Sequence, residues 1–236
     1  MAKELENKKT IRKKAIQHML RILFQRIIGI GLFFAAAGTF KDIRGMTNIS
    51  LYLIISIVGS ALMLSSHQNT LSEREKKRKD TKRWDKFLMP ILVILMFHVI
   101  YFIAGLGIRL HWNKLPMECF YVGSILYLLA SVFTTWPILA NKYFEGTSRI
   151  QKDREQTVIS SGPYKIVRHP GYLGAILWAI ASYLMFGTLP VGIICFFIIA
   201  ILCIRTHLED KMLREELSGY LEYSQTTKHR LIPFVW

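Results

Sequence analysis

The chain has 236 residues, of which 52% are hydrophobic, and it carries a formal net charge of +15 at pH 7. This is more apolar surface than a soluble domain of this size could bury around one core, which excludes a soluble globular fold. The charge would suit a nucleic-acid-binding protein, but such a protein would not contain stretches such as residues 87–107 that are nearly free of charge.

The N-terminal segment mixes basic and apolar residues. In residues 1–21 the apolar positions recur at near-helical spacing among lysines and arginines, which predicts an amphipathic helix anchored at the membrane interface. A basic start followed by apolar residues and Ala35-Ala36-Ala37 superficially resembles a secretory signal. Because Arg26 interrupts the apolar part and the rest of the chain is itself apolar, we interpret the segment as an anchor.

Six apolar stretches predict transmembrane or membrane-embedded helices. The last two are shorter than the ~20 residues of a perpendicular span, and Gly187-Thr188-Leu189-Pro190 between them predicts a tight helical hairpin that is partly sheltered by protein. The sequence therefore predicts an all-α, polytopic membrane protein. The stretches lie near residues 22–40, 49–65, 87–107, 118–140, 171–186 and 190–204.

Basic residues alternate between the connecting segments. With six crossings, the segments that share a side with the N-terminus hold 26 of the 31 Lys and Arg residues, whereas the other side holds 4. The positive-inside rule then predicts that the N-terminus, the basic loop of residues 66–86 and the C-terminal tail are cytoplasmic. We expect the charge run Ser72–Arg83 in this loop to lie against anionic phospholipid headgroups.

The three cysteines lie within or at the edge of apolar stretches. Cys119, Cys195 and Cys203 show no paired spacing and have no histidines at ligand distance, so we predict neither a disulfide framework nor a metal site.

Two polar clusters flank the predicted hairpin. Before it, Gly162-Pro163 predicts a turn and Pro170 the first turn of a helix, whose free N–H groups would accept an anion. After it, Arg205 and Glu209 would lie one turn apart on one face if the last helix continues. Each of these polar residues also has a purely structural interpretation. The arginines could extend from helix ends to the membrane surface, the tyrosines could belong to an interfacial aromatic belt, and the histidine before Pro170 could be a turn residue.

A series of motifs runs through these clusters. In chain order they are Gly162-Pro163-Tyr164, Arg168-His169-Pro170-x-Tyr172-x-Gly174, the hairpin, Arg205-x-x-x-Glu209-Asp210-x-x-Leu213, Tyr220-x-x-Tyr223 and Arg230-Leu-Ile-Pro233. Their order and spacing resemble the isoprenylcysteine carboxyl methyltransferase family and the related phospholipid methyltransferases. The preceding Asn141–Phe144 and Arg149-Ile150 look like bacterial members, so a bacterial plasma membrane is expected.

The resemblance implies S-adenosylmethionine as cofactor, bound at the cytoplasmic ends of the hairpin and roofed by the C-terminal tail. A dinucleotide-type Gly-x-Gly-x-x-Gly after a strand pattern is absent from the sequence, which agrees with this. Asp210 stands where carboxyl methyltransferases proper commonly have a second glutamate. The cofactor-binding residues implied are Tyr164, Arg168, His169, Pro170, Tyr172, Gly174, Glu209, Asp210, Tyr220, Tyr223 and Arg230.

Three residues are predicted to act on the acceptor. A carboxylate acceptor needs no base, and we expect Arg205 to hold it while Glu209 orients that arginine or the ammonium of the cofactor. A lipid amine acceptor would need a base, and His169 or Glu209 is then the candidate.

The leading hypothesis is a membrane methyltransferase whose lipid or isoprenoid-bearing acceptor enters from the bilayer, possibly an isoprenylcysteine carboxyl group. The alternatives are an NADPH-dependent oxidoreductase resembling sterol reductases, a phospholipid N-methyltransferase and a non-catalytic membrane scaffold. Residues 1–236 are expected to form one membrane domain, with the amphipathic segment and four spans in 1–140 and the methyltransferase-like catalytic region in 141–236.

Overall fold

The structure is a computed structural model that describes residues 2–75, 79–233 and 235–236. Three residues of the predicted charge run, Lys76, Lys77 and Arg78, lie outside the described residues. The described residues form helices and connecting loops, without a β-strand among them. The nine α-helices of this part of the chain are α1 Ala2–Ala37, α2 Ile43–Ser66, α3 Gln68–Glu75, α4 Arg83–Ile94, α5 Ile100–Arg109, α6 Met117–Ala140, α7 Pro170–Phe186, α8 Leu189–Glu216 and α9 Tyr220–Thr226.

The helices have the lengths that a bilayer requires. Five helical segments are long and apolar enough to cross a membrane, and α7 is a shorter apolar helix of 17 residues. Large apolar side chains face outward along them, such as Phe87 with 69% of its surface exposed and Phe196 with 66%. Such side chains are stable on an outer surface when lipid surrounds it. The prediction of an all-helical, polytopic membrane protein is therefore confirmed.

The N-terminal segment is not a separate interfacial helix. It continues without a break into the first span, and this 36-residue helix would be about 54 Å long at 1.5 Å per residue. Its basic half packs on protein, because Ala15 is fully buried with Met63 and Leu71, and His18 and Arg21 both contact the carboxylate of Glu75. Helix α3 therefore covers one face of residues 1–21, the segment that was predicted to lie at the membrane interface.

Helices α4 and α5 form one continuous span, Arg83–Arg109, joined by a π-helical turn at Leu95–Val99. A π turn holds one residue more than an α-helical turn and widens the helix locally. Helix α1 passes close to this turn at Gly29, where a Cβ atom would lie 2.2 Å from the carbonyl oxygen of Phe97. A side chain at position 29 would thus require the two helices to separate.

The predicted hairpin is formed by α7 and α8. Pro170 opens α7 as expected, and Gly187 ends it with a left-handed φ of 73°, a conformation that favours glycine. Helix α8 does not stop at residue 204 but continues to Glu216, so Arg205 and Glu209 do lie one turn apart on the same helix.

Gly174 lies at the contact between α6 and α7. A Cβ atom there would be 2.6 Å from the carbonyl carbon of Phe133 and 2.7 Å from the backbone nitrogen of Thr134. We expect Gly174→Ala to lower the free energy of unfolding by about 1–3 kcal/mol, because backbone cannot move aside as a side chain can. Denaturant titration in detergent micelles measures this. The matched control is Gly59→Ala in α2, where nothing lies within 4 Å, and equal losses in both variants would contradict the assignment.

Candidate active site

A cavity of about 280 Å³ lies where α7 begins, between α4, the last turns of α8, helix α9 and the loop of residues 141–160. This volume is close to the lower end of the roughly 300–1,000 Å³ typical of small-molecule sites. Most of the predicted site residues line it, although they are far apart in sequence. They are Tyr164, Arg168, His169, Pro170, Tyr172, Arg205, Glu209, Tyr220 and Tyr223.

Asp210 does not line the cavity but lies fully buried behind it. Its carboxylate accepts a two-pronged hydrogen bond from Arg168, from Nε at 2.7 Å and Nη2 at 3.1 Å. Nε of Arg230 at 2.9 Å and the hydroxyl of Tyr220 at 3.1 Å also donate to it. Burial acts to lower the pKa of Arg168, but the hydrogen bond and charge of Asp210 outweigh it and raise that pKa. Arg168 is therefore a permanent cation.

His169 occupies the position just before α7, where Pro170 keeps it out of the helical conformation, with φ −125° and ψ 61°, and its side chain is buried. Nε2 lies 3.3 Å from Oδ1 of Asp210 and 3.4 Å from the hydroxyl oxygen of Tyr220. The ring also stacks obliquely on that of Tyr172, with 5.8 Å between the ring centres. The ring thus joins the Asp210 cluster to the cavity wall.

The C-terminal tail, which follows α9, crosses the start of α7 and is held there by backbone hydrogen bonds. The N–H of Arg168 donates to the carbonyl of His229, and the N–H of His169 donates to the carbonyl of Arg230, both at 2.9 Å. Nη1 of Arg168 adds bonds at 2.8 Å to the carbonyls of Thr227 and Lys228. Arg168 therefore holds the tail with both its backbone and its side chain.

Three buried tyrosines join the loop before α7 to α9. The hydroxyl of Tyr223 donates to the carbonyl oxygen of Tyr164 at 2.6 Å, and Tyr220 packs edge-on against Tyr223. The amide of Asn141 donates to the hydroxyl of Tyr164 at 3.2 Å. Burial raises the pKa of Tyr223 to about 12 and raises the pKa of Tyr164 as well, so both phenols stay protonated at neutral pH.

Arg205 is paired with a residue that the sequence did not single out. Asp85, fully buried in the first turn of α4, accepts from Nε of Arg205 at 2.8 Å and lies 2.7 Å from Nη2. Its other oxygen accepts the backbone N–H of Ser148 at 2.7 Å. The guanidinium also lies over the ring of Tyr172, 5.2 Å from the ring centre. The sequence did contain a signal for this pair: Asp85 is an acidic residue at the start of an apolar span, and it lies on the same predicted side of the membrane as Arg205.

Glu209 is a half-buried carboxylate that lines the cavity. It accepts a hydrogen bond of 2.7 Å from the hydroxyl of Tyr172 and another from the hydroxyl of Ser148. Ser148 thus contacts both Asp85 and Glu209, and it connects the loop of residues 141–160 to two acidic groups. The partners of Glu209 are hydroxyls, while Arg205 is held by Asp85.

The opposite wall of the cavity is apolar. Helix α4 and the π-helical turn contribute Met89, Val93, Met96 and Phe97, and α7 contributes Ala175. The cavity therefore has a polar end with charged groups and an apolar end that points into the spans. Such a shape suits a ligand with a polar head and an apolar chain.

Besides Asp210, two of the predicted residues do not line the cavity. Gly174 belongs to the contact between α6 and α7, and Arg230 lines a second hollow on the other side of the tail.

Comparison with known proteins adds a family likeness. Residues 123–215 match the model of the isoprenylcysteine carboxyl methyltransferase family. This segment runs from α6 to the end of α8 and contains the Arg168, Arg205 and Glu209 positions. Asp85 lies outside it.

Curated relatives also match part of this chain. A "Probable protein-S-isoprenylcysteine O-methyltransferase" from rice, Oryza sativa subsp. indica, is 28% identical over 119 residues, covering 49% of this chain and 61% of the rice protein. "Protein-S-isoprenylcysteine O-methyltransferase B" of Arabidopsis thaliana is 23% identical over 63% of this chain and 74% of that protein. The enzyme of Saccharomyces cerevisiae is 30% identical over 44% of this chain and 45% of its own length. The chain thus spans about three fifths of the rice relative that it matches.

Proposed function

We propose that this chain, whose residues 123–215 match the model of the isoprenylcysteine carboxyl methyltransferase family, is an integral membrane methyltransferase of that family that uses S-adenosylmethionine. The observation that carries the proposal is the cavity in which Arg168, His169, Tyr172 and Glu209 form a polar end beside an apolar wall. The acceptor is a lipid or isoprenoid-bearing molecule that enters from the bilayer. Residues 1–236 act as one membrane domain.

The polar groups of the cavity fit the chemistry of this cofactor. S-adenosylmethionine, when bound, would supply a methyl group on a sulfonium, and it also carries an ammonium and a carboxylate. Glu209, held by Tyr172 and Ser148, is suited to bind the ammonium, while Arg168 and the N–H of Gly171 in the first turn of α7 are suited to bind the carboxylate. Tyr164, Tyr220 and Tyr223 close the cavity against water.

The acceptor end is formed by Arg205. A carboxylate acceptor is already ionised, so the residues need to orient it and exclude water rather than remove a proton. Asp85 uses Nε and Nη2 of Arg205, and we assign Nη1 to the acceptor. For a lipid amine acceptor, His169 or Glu209 would take up the proton.

The polar end of the cavity faces the cytoplasm in this proposal. The distribution of Lys and Arg supports a cytoplasmic N-terminus, basic loop and C-terminal tail, in what we take to be a bacterial plasma membrane. The basic loop of residues 66–86 would contact anionic headgroups there.

The proposal is tested by calorimetric binding of S-adenosylmethionine, and of its demethylated product, to the detergent-purified chain. We expect wild type to bind both. Glu209→Gln should weaken binding by about 10-fold or more, because a hydrogen bond to a charged group contributes about 1.5–3 kcal/mol. His169→Ala and Arg168→Ala should bind more weakly still or not at all.

The matched control is Tyr121→Phe, an exposed tyrosine on α6 that should bind the cofactor like wild type. Tritium transfer from labelled S-adenosylmethionine into a membrane lipid extract is compared with NADPH oxidation by the same preparation. NADPH oxidation without binding of S-adenosylmethionine would refute the proposal in favour of an oxidoreductase.

A further inference from the structure

A second hollow, which we call the basic hollow, lies on the side of the tail that faces away from the cavity. It encloses about 510 Å³ and is lined by Arg168, Arg214, Lys228, His229 and Arg230, together with Ser224, Gln225, Val235 and Trp236. None of these lining residues is acidic. Its position between α8, α9 and the tail separates it from the proposed methyl-transfer site.

The charge of the basic hollow is only partly balanced. Arg168 and Arg230 share the one carboxylate of Asp210, which is buried behind them. Arg214 and Lys228 are exposed and add two further positive charges at the rim. A site with this excess of guanidinium and ammonium groups favours an anion, and the planar fork of arginine matches the oxygens of a phosphate.

We place the basic hollow near the membrane surface from the length of α7. Helix α7 has 17 residues and is about 26 Å long, slightly less than the ~30 Å hydrocarbon thickness, so its first residue lies near the boundary. Because the tail carbonyls of His229 and Arg230 accept the N–H groups of Arg168 and His169, just before that residue, the hollow is held at the same height.

The tail also presents apolar groups beside these charges. Val235 is 75% exposed, Ile232 is 44% exposed and the indole of Trp236 stacks near the guanidinium of Arg230, 5.3 Å from it. Apolar and tryptophan side chains next to basic groups are typical of segments that rest in the headgroup layer. A site for a soluble anion would not need apolar side chains at its rim, whereas a site for a lipid would.

We propose that the basic hollow binds the phosphate of an anionic phospholipid headgroup from the adjacent leaflet. Arg214 and Lys228 attract the headgroup, Arg230 contacts the phosphate, and the exposed apolar residues of the tail contact the acyl region. Arg168 lines both the hollow and the cavity, so the phosphate would bind next to the proposed methyl-transfer site.

The test is native mass spectrometry of the full chain in detergent, titrated separately with dioleoylphosphatidylglycerol, dioleoylphosphatidylcholine and soluble glycerol 3-phosphate. Wild type should retain phosphatidylglycerol at a concentration at least 10-fold lower than phosphatidylcholine. Arg214→Ala/Lys228→Ala should weaken retention of phosphatidylglycerol by roughly 30-fold, since each basic group near an anionic surface contributes about 1 kcal/mol. Its melting temperature should match that of wild type, because both side chains are exposed.

The control is Arg83→Ala/Lys165→Ala, which removes one exposed arginine and one exposed lysine that do not line the hollow. It should retain phosphatidylglycerol like wild type. Equal weakening in both double variants, or none in either, would overturn the site. Displacement of the lipid by an equal concentration of glycerol 3-phosphate would instead identify a soluble anion and overturn the lipid assignment.

Discussion

Asp210→Asn is expected to lower the free energy of unfolding by about 3–5 kcal/mol and to release the C-terminal tail. The variant keeps the shape of the side chain but removes the charge that Arg168 and Arg230 share, so two buried or half-buried cations lose their partner. The neutral amide also places an N–H group against the guanidinium donors. Denaturant titration in detergent micelles measures the stability.

Limited trypsin digestion tests the second half of this expectation. In wild type the carbonyls of Thr227 to Arg230 are bound by Arg168 and His169, so cleavage after Lys228 or Arg230 should be slow. It should become fast in Asp210→Asn. Glu215→Gln on the same helix is the control, because its 3.9 Å contact with Lys211 is exposed and such pairs contribute 1 kcal/mol or less. Similar losses in both variants would contradict a special role of Asp210.

A double-mutant cycle on Asp85 and Arg205 should give a coupling energy of about 2–3 kcal/mol. Asp85→Asn alone leaves the buried guanidinium without its carboxylate, and Arg205→Gln alone leaves a buried carboxylate without its cation. Each single variant should therefore be strongly destabilised, whereas the double variant should recover part of the loss. Additive losses would show that the two side chains do not act as a pair.

The same variants should separate the two ends of the proposed site. Because Asp85 holds Arg205 directly but is connected to Glu209 only through Ser148, Asp85→Asn should impair methyl transfer to acceptor in lipid extract more than it impairs binding of S-adenosylmethionine. Asp80→Asn is the control in the preceding loop, since Asp80 is half exposed and its partner Arg149 keeps Glu145 and Asp153. It should change stability by about 0.5 kcal/mol or less. Equal loss of cofactor binding and methyl transfer in Asp85→Asn would argue against this division.

The spans and the hairpin could be predicted because their signals are local. Apolar length gives a membrane helix, and Gly187 and Pro190 mark the turn between two of them. The order of the motifs predicted that Arg168 and Glu209 belong to one polar cluster. Nine of the residues that line the cavity were among those expected, but the motifs did not distinguish residues that face a ligand from residues that hold the wall together.

Asp85 and Ser148 could not be found in this way, because their roles depend on how distant segments pack. Asp85 lies 120 residues from Arg205, and its position in the first turn of α4 equally suits a helix N-terminal charge. Ser148 lies in an irregular loop without periodicity. The docking of α1 on α3 was missed for a related reason: an amphipathic face has the same pattern whether lipid or protein covers it.

The π-helical turn and Gly29 illustrate a dependence between two helices that no motif records. The additional residue in Leu95–Val99 rotates everything after it by about 100° relative to a regular helix. It also leaves the carbonyl of Phe97 so close to α1 that a hydrogen atom is all that fits at position 29. A descendant that regularised the turn would present a different face of α5 to the bundle, whereas one that gained a methyl group at position 29 would separate the helices. A change in either segment therefore alters its packing against the other, and we expect insertions and deletions to be rare in both.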